Sequence, residues 1–318
     1  MVYDVIILGG GAAGYSAAIY ARRYLLKTAL IQGKMPGGET ATAGVVENYP
    51  GFVKIDGYEL MQKFEEQARL NQTDLVVGHV ESIQKQGHCF QVQFDGKTLD
   101  SKTIIFALGS EHRKLGVARE QELKGHGINY CVTCDGPLFK GKRTVLVGGG
   151  DSSVKGAALL ADYATSVLFV TREKELQAEP VNLKRMQAKK NIQVVYENGV
   201  KELIGEKKLE AVELLKAVDG KTRVEVEGVF VEIGLIPRTD LPKTLGVQLD
   251  ERGNVNVDGM MRTNVDGMFA CGDLTNAAGG FKQIVTAAAQ GALAATAAYQ
   301  DIGEHGEQLV CELHGKAS

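Results

Sequence analysis

Residues 2–32 read VYDVIILGGGAAGYSAAIYARRYLLKTALIQ, and this stretch decides the fold. Val2 to Leu8 is a short apolar run closed by glycine, the pattern of a buried strand. From Tyr15 to Lys27 the chain is Ala-rich, with Tyr15, Ile19 and Tyr20 near helical spacing. Thr28 to Gln32 reads as a second strand. Strand, glycine turn, helix and strand make one βαβ unit of about 30 residues. Its loop holds Gly9-x-Gly11-x-x-Gly14, with Ala13 inside. The first glycine makes the tight turn. The second lets backbone approach a pyrophosphate at the helix N-terminus, and the third lets helix pack on strand. With a strand before and a helix after, the spacing points to a bound dinucleotide. The acid expected for a ribose hydroxyl is replaced by Gln32, which can still hydrogen-bond a hydroxyl.

The pattern recurs in RTVLVGGGDSSVKGAALLADYATSVLFV, residues 143–170. Its loop is Gly148-x-Gly150-x-x-Ser153. Two such units in 318 residues agree with the two domains that this length suggests. The segments between and after them alternate apolar and polar residues, as β-structure does. After the second unit's last strand come Thr171, Arg172 and Glu173. An arginine grips a 2′-phosphate, whereas a carboxylate repels it and suits a free 2′-hydroxyl. Arg172 and Glu173 therefore give a mixed signal on the choice between NADPH and NADH.

Composition narrows the classes. Glycine is high, 39 of 318 or about 12%, against an average near 7%. Lys+Arg 36 against Asp+Glu 39 gives a net charge of −3, with no long run of one sign. That is no nucleic-acid footprint. The start, MVYDVIILGG, lacks the basic region and cleavage site of a signal peptide. The charge-free stretch from Gln283 to Gln300 is weakly apolar, so a buried core helix is expected and not a membrane span. A cytoplasmic setting follows, in which a close cysteine pair is catalytic or metal-binding more often than structural.

Five cysteines are present, and only Cys131 and Cys134 are close, in Cys131-Val-Thr-Cys134-Asp135-Gly136. Three readings stand. The pair could cycle between disulfide and dithiol, with Asp135 as proton donor once burial raises its pKa. It could be half a zinc site, with Cys311 and His314 as the other half. It could be packing. The position between two nucleotide units favours redox, and no metal is expected. Gly272-Asp273 closes a further strand, and an acid there can hold cofactor hydroxyls or act as a turn residue.

CVTCDG followed by PLFKGKRTVLVGGGDSSV resembles the low-molecular-weight thioredoxin reductases. So do ILGGGAAG, MPGGET, VENYPGF, IIFALGS, EIGLIP, MFACGDLTN and FKQIVTAAAQGALAA, in this order along nearly the whole chain. The resemblance implies an α/β fold with two Rossmann-like, three-layer ββα domains, the second inserted into the first. Residues 1–115 and 241–318, the latter ending in a polar tail expected over 301–318, would bind FAD. Residues 116–240 would carry the redox pair and bind a nicotinamide nucleotide. A homodimer is implied. FAD would lie on Gly9, Gly11, Ala13 and Gly14. Gly38, Glu39, Thr40 and Asn48 would line its flavin and pyrophosphate side, Val80 its adenine, with Ala107 and Gly109 nearby. Gly272 and Asp273 would hold linker hydroxyls, and Lys282, Gln283 and Ile284 would approach the flavin. Gly148, Gly150, Arg172 and Glu173 would meet the nicotinamide nucleotide. Cys134 would be the flavin-side sulfur and Cys131 the attacking one, with Asp135 the acid.

The implied activity is electron transfer through FAD to the dithiol and on to thioredoxin or a similar small protein. A peroxidase or glutaredoxin-like partner is the alternative. Departures concentrate at the donor. Where the family has His-Arg-Arg and a later Arg for NADPH, this chain has Thr171, Arg172, Glu173 and Gln177. Glu39 stands for a usual Gln and Lys282 for a usual Arg. NADH in place of NADPH is expected. The other answer is ferredoxin, as in ferredoxin-dependent flavin thioredoxin reductases.

Overall fold

Alternation in the first strands builds a sheet covered on both faces. In the computed structural model, which describes residues 2–305, β1 (Val2–Leu8) and β2 (Thr28–Gln32) pair in parallel around α1 (Ala12–Arg23). Val5 and Ile7 face one way and pack with Ala17 and Ala18 of α1. Ile6 and Leu8 face the other way and pack with Phe90 and Val92. Next come α2 (Gly38–Thr42), the short antiparallel strands β3 (Val45–Val46) and β4 (Ile55–Asp56), and α3 (Gly57–Leu70). Asp56 caps α3, its carboxylate accepting from the amides of Tyr58 and Glu59. β5 (Asp74–Val77), β6 (Val80–Gln86), β7 (Cys89–Phe94) and β8 (Lys97–Phe106) complete the order β5-β2-β1-β8-β7-β6.

The chain leaves through β9 (Ser110–His112) and later returns through β18 (Leu235–Pro237), and these two strands pair. Between them lies a second compact unit, His112–Leu235. It contains β10 (Ile128–Asn129), α4 (Val132–Asp135), β11 (Arg143–Gly148), α5 (Asp151–Leu160), β12 (Ser166–Val170), α6 (Pro180–Gln187) and β13 (Ile192–Val195). β14 (Val200–Ile204), β15 (Ala211–Val218) and β16 (Lys221–Glu225) form an antiparallel sheet, and β17 (Gly228–Glu232) rejoins the parallel one. The parallel order is β10-β17-β11-β12-β13. Val145 and Val147 of β11 pack toward Leu203 and Val212 of the antiparallel sheet. Leu146 between them packs toward Val154 and Ala157 of α5. That alternation produces the layers sheet, sheet and helix.

The first unit resumes at Ile236. α7 (Asp240–Thr244) precedes β19 (Met268–Ala270), which pairs in parallel with the end of β8, Met268 opposite Ile104. The first half of β8 pairs antiparallel with β7, so β8 is where the sheet branches. α8 (Ile284–His305) is the expected Ala-rich core helix, with Ala294, Ala295, Ala297 and Ala298 fully buried. A Cβ on Gly291 would lie 2.0 Å from the Ala13 carbonyl oxygen, so α8 touches the backbone of α1. The helix runs on through His305, so 301–305 are helical and not the start of a tail. Cys311 and His314 lie outside the described residues. The units meet the connecting strands at 111/112 and 235/236, a few residues before the sequence-expected edges at 115/116 and 240/241.

Candidate active site

The first loop is packed where it must be and open where a ligand would enter. A Cβ on Gly9 would sit 2.2 Å from the Ala107 oxygen, and one on Gly14 would sit 1.8 Å from the Gly9 oxygen. Gly11, the N-cap of α1, has nothing within 4 Å of its Cβ position. Open backbone at a helix start is what a pyrophosphate requires, so these residues fit a dinucleotide such as FAD. Gln32 is buried at the end of β2, and its side-chain oxygen accepts from the Tyr15 hydroxyl at 2.8 Å. The amide NH2 of Gln32 is left as its donor toward a hydroxyl. Burial, then Glu65, holds the Tyr15 phenol well above its ordinary range, so it stays a neutral donor.

The remaining first-unit residues come from six segments. Gly38, Glu39 and Thr40 form the first turn of α2. Val80 starts β6, and Ala107 and Gly109 follow β8. Asn48 donates to the Gln283 oxygen at 3.1 Å, which joins two expected flavin-side residues 235 positions apart. Gln283 precedes Ile284, the first residue of α8. Gly272 donates its amide to Gln290 at 2.8 Å. Beside it, burial pushes the Asp273 carboxyl up, Lys282 lowers it, and Glu39 raises it. The two family departures, Glu39 and Lys282, thus act on the same acid with opposite signs. Lys282 also donates to Asn254 at 3.1 Å.

In the second unit Gly148 ends β11 and Gly150 caps α5, again with open space at its Cβ position. A Cβ on Gly149 would lie 2.7 Å from Thr171 Oγ1 and 3.0 Å from Glu173 Cγ. The Glu173 side chain therefore lies along the glycine loop. The Thr171 hydroxyl accepts from the Glu173 amide at 3.2 Å and fixes that turn. Arg172 goes elsewhere: its Nε is 3.4 Å from a Cβ built on Gly199. Gln177, which stands where the family has an arginine, donates its backbone N–H to the Gly149 oxygen at 2.8 Å.

Cys131 and Cys134 form a disulfide with Cα atoms 5.4 Å apart. Cys131 caps α4, and its sulfur accepts from the Cys134 amide at 3.1 Å. A donor aimed at that sulfur favours its thiolate once the pair is reduced. Burial raises the Asp135 carboxyl, so it keeps its proton to higher pH than a free aspartate. Among the described residues no cluster of His, Cys, Asp and Glu could hold a metal ion. The chain matches the model of the pyridine nucleotide-disulphide oxidoreductases over residues 3–291.

The chain belongs to that family.

Relatives in the family agree over nearly the full length. Thioredoxin reductase of Listeria innocua is 40% identical, over 98% of this chain and 97% of that one. The crystal structure of Lactococcus lactis thioredoxin reductase superposes with a TM-score of 0.90 at 34% identity, covering 95% of this chain and 99% of the other. That of T. acidophilum thioredoxin reductase gives 0.87 at 39% identity, covering 94% and 98%.

Sequence motifs missed the supports of the site. Tyr15 and Gln290 hold Gln32 and Gly272, and no motif flags either. Glu120, buried at 5% exposure, accepts from the amides of Leu115 and Gly116 and from the Tyr130 hydroxyl at 2.6 Å. It anchors the residue next to Cys131. The only available signal was an acid in a Gly-flanked loop, which is too common to single out.

Proposed function

We propose that the chain is an FAD-dependent oxidoreductase that takes electrons from NADH and reduces the disulfide of thioredoxin or a similar small protein. The Cys131–Cys134 disulfide, in a unit with its own dinucleotide loop, carries this reading. Gly9, Gly11, Gly14 and Gln32 would hold FAD, with Asn48, Asp273 and Gln283 on its flavin half. Bound there, FAD would supply two-electron transfer between a nicotinamide and a disulfide.

The protein's own steps are thiol chemistry. Two electrons and a proton break the Cys131–Cys134 bond to one thiolate and one thiol. The Cys131 thiolate attacks one sulfur of the partner's disulfide, and the partner's other sulfur leaves as a thiolate. Asp135, whose carboxyl holds its proton to higher pH because of burial, would supply a proton to that leaving sulfur. Cys134 then gives up its proton and attacks Cys131 in the mixed disulfide; that proton goes to the second partner sulfur as it leaves, and Asp135 regains its own from solvent. The internal disulfide is restored and the partner leaves as a dithiol.

NADH is favoured over NADPH by the side-chain directions after β12. The Glu173 side chain runs against Gly149 of the glycine loop, where a carboxylate suits a 2′-hydroxyl and repels a 2′-phosphate. Arg172 is laid against Gly199, and Gln177 offers no charge. We place the activity in the cytosol, in a homodimer. Anaerobic titration of the flavin with each nucleotide, followed by oxidised thioredoxin, tests the whole sequence. Bleaching by NADH and then release of thioredoxin dithiol is expected. Stronger bleaching by NADPH overturns the role of Glu173, and bleaching by neither points to ferredoxin as donor. Reduced enzyme that leaves thioredoxin oxidised shifts the assignment to a peroxidase or glutaredoxin-like partner.

A further inference from the structure

Glu232 sits where the parallel sheet of the second unit reverses direction. From β11 the chain steps outward through α5 to β12 and through α6 to β13. It then returns to the opposite side of β11 as β17. Ligands of such sheets bind outside the carboxyl ends of the strands at this reversal. Gly148 ends β11 and Glu232 ends β17, and the two residues are paired across the ladder. The Glu232 carboxylate accepts from the hydroxyl of Ser152, in the first turn of α5. It is half-buried, and its other oxygen lies 3.7 Å from a Cβ built on Gly156, one turn further along α5.

The direction of a bound dinucleotide follows from the loop. Its adenosine ribose belongs at the end of β12, beside Glu173, and its pyrophosphate at the start of α5. Its second ribose must then continue toward the end of β17. We infer that Glu232 binds the hydroxyls of the nicotinamide-side ribose, with Ser152 orienting its carboxylate. The second unit then presents one carboxylate to each ribose of a pyridine dinucleotide, Glu173 at one end and Glu232 at the other. A carboxylate is an acceptor only, which matches the donor hydroxyls of a ribose diol. This assignment rests on the nucleotide role proposed for that unit.

ADP and ADP-ribose separate the two riboses, because only ADP-ribose carries the second one. Both are titrated calorimetrically onto oxidised holoenzyme. The wild type should bind ADP-ribose more tightly than ADP. Glu232→Ala should weaken ADP-ribose about tenfold and leave ADP within about twofold. Glu232→Gln keeps an oxygen for Ser152 and should weaken ADP-ribose by only about two- to fourfold. If the Ala variant does not fold, the Gln variant decides alone, and an unchanged ADP-ribose affinity overturns the assignment. Equal losses for both ligands would also overturn it, since Glu232 would then act only by propping α5. Wild-type enzyme that binds neither ligand overturns this inference together with the NADH donor. Wild-type binding that Glu232→Ala leaves untouched overturns this inference alone.

Discussion

The two glycine loops start from the same pattern and differ at their third small residue and at the strand that follows. In the first unit Gly14 is pressed against the Gly9 carbonyl, and no side chain fits. In the second unit Ser153 occupies that position, fully buried, with its hydroxyl donating to the Gly150 oxygen at 2.6 Å. The following strand ends in buried neutral Gln32 in one unit; in the other it ends at Val170, and buried Thr171 is followed by exposed, charged Arg172 and Glu173. A buried amide suits a cofactor that stays. An exposed charged rim suits a nucleotide that comes and goes, because exposed groups are resolvated at low cost on release. The difference teaches that the same loop can hold or exchange a dinucleotide according to the residues one strand away.

Substitutions can break this division of labour. Cys134→Ser should lower thioredoxin turnover by roughly 10³-fold or more while leaving flavin content unchanged. Loss of flavin in that variant would show that the second unit also helps retain the cofactor. Gly14→Ala should destabilise the first unit by about 2–4 kcal/mol and release flavin, because its Cβ meets backbone. Ser153→Ala should cost only about 1 kcal/mol, the hydrogen bond to Gly150. Thermal melts with flavin fluorescence distinguish them, and equal costs would dissolve the contrast between the loops.

Smaller effects sharpen it. Burial raises the Asp135 pKa, so its protonated fraction falls as pH rises through a value above that of free aspartate. Turnover limited by Asp135 should decline on that alkaline side. Asp135→Asn should lower the rate by about 10²-fold and flatten this limb in a pH–rate profile. Glu173→Arg should raise the NADPH-to-NADH ratio of kcat/KM by about tenfold, since a repelling charge becomes an attracting one. Cys271 is fully buried and its thiol is pushed up to about 12. It should resist iodoacetamide at neutral pH while the reduced pair is alkylated, as mass spectrometry would read.

Much of this was legible in sequence because glycine spacing, strand alternation and a close cysteine pair are local signals. The βαβ units around Gly9 and Gly148 needed no tertiary information. Side-chain direction did. Arg172 and Glu173 are neighbours whose types conflict, and only the packing of one on Gly199 and the other on Gly149 separates them. Asn48 and Gln283 meet across 235 residues, and the branching of β8 depends on a strand that forms after the whole second unit. The end of α8 was misplaced because Asp301, Gly303 and Glu304 break the Ala-rich pattern and leave Ile302 the one apolar residue there, which packs on the core. Glu232 opens the EIGLIP segment, yet nothing in that segment gives the acid a role, since an acid closing a strand is ordinary until the sheet's reversal is known.

The paired connectors have a consequence for how such a chain is assembled. The amide of Arg113 bonds the Gly234 oxygen at 3.0 Å, and the amide of Arg238 bonds the Gly109 oxygen at 3.0 Å. The way out of the first unit and the way back are thus side by side. A guest whose two ends emerge together needs one short opening in its host, and the host's strands on either side keep their partners. Seen as engineering, residues 112–235 are a cartridge. Exchanging it at one locus would replace the cysteine pair and its glycine loop together while the host unit kept its own strands.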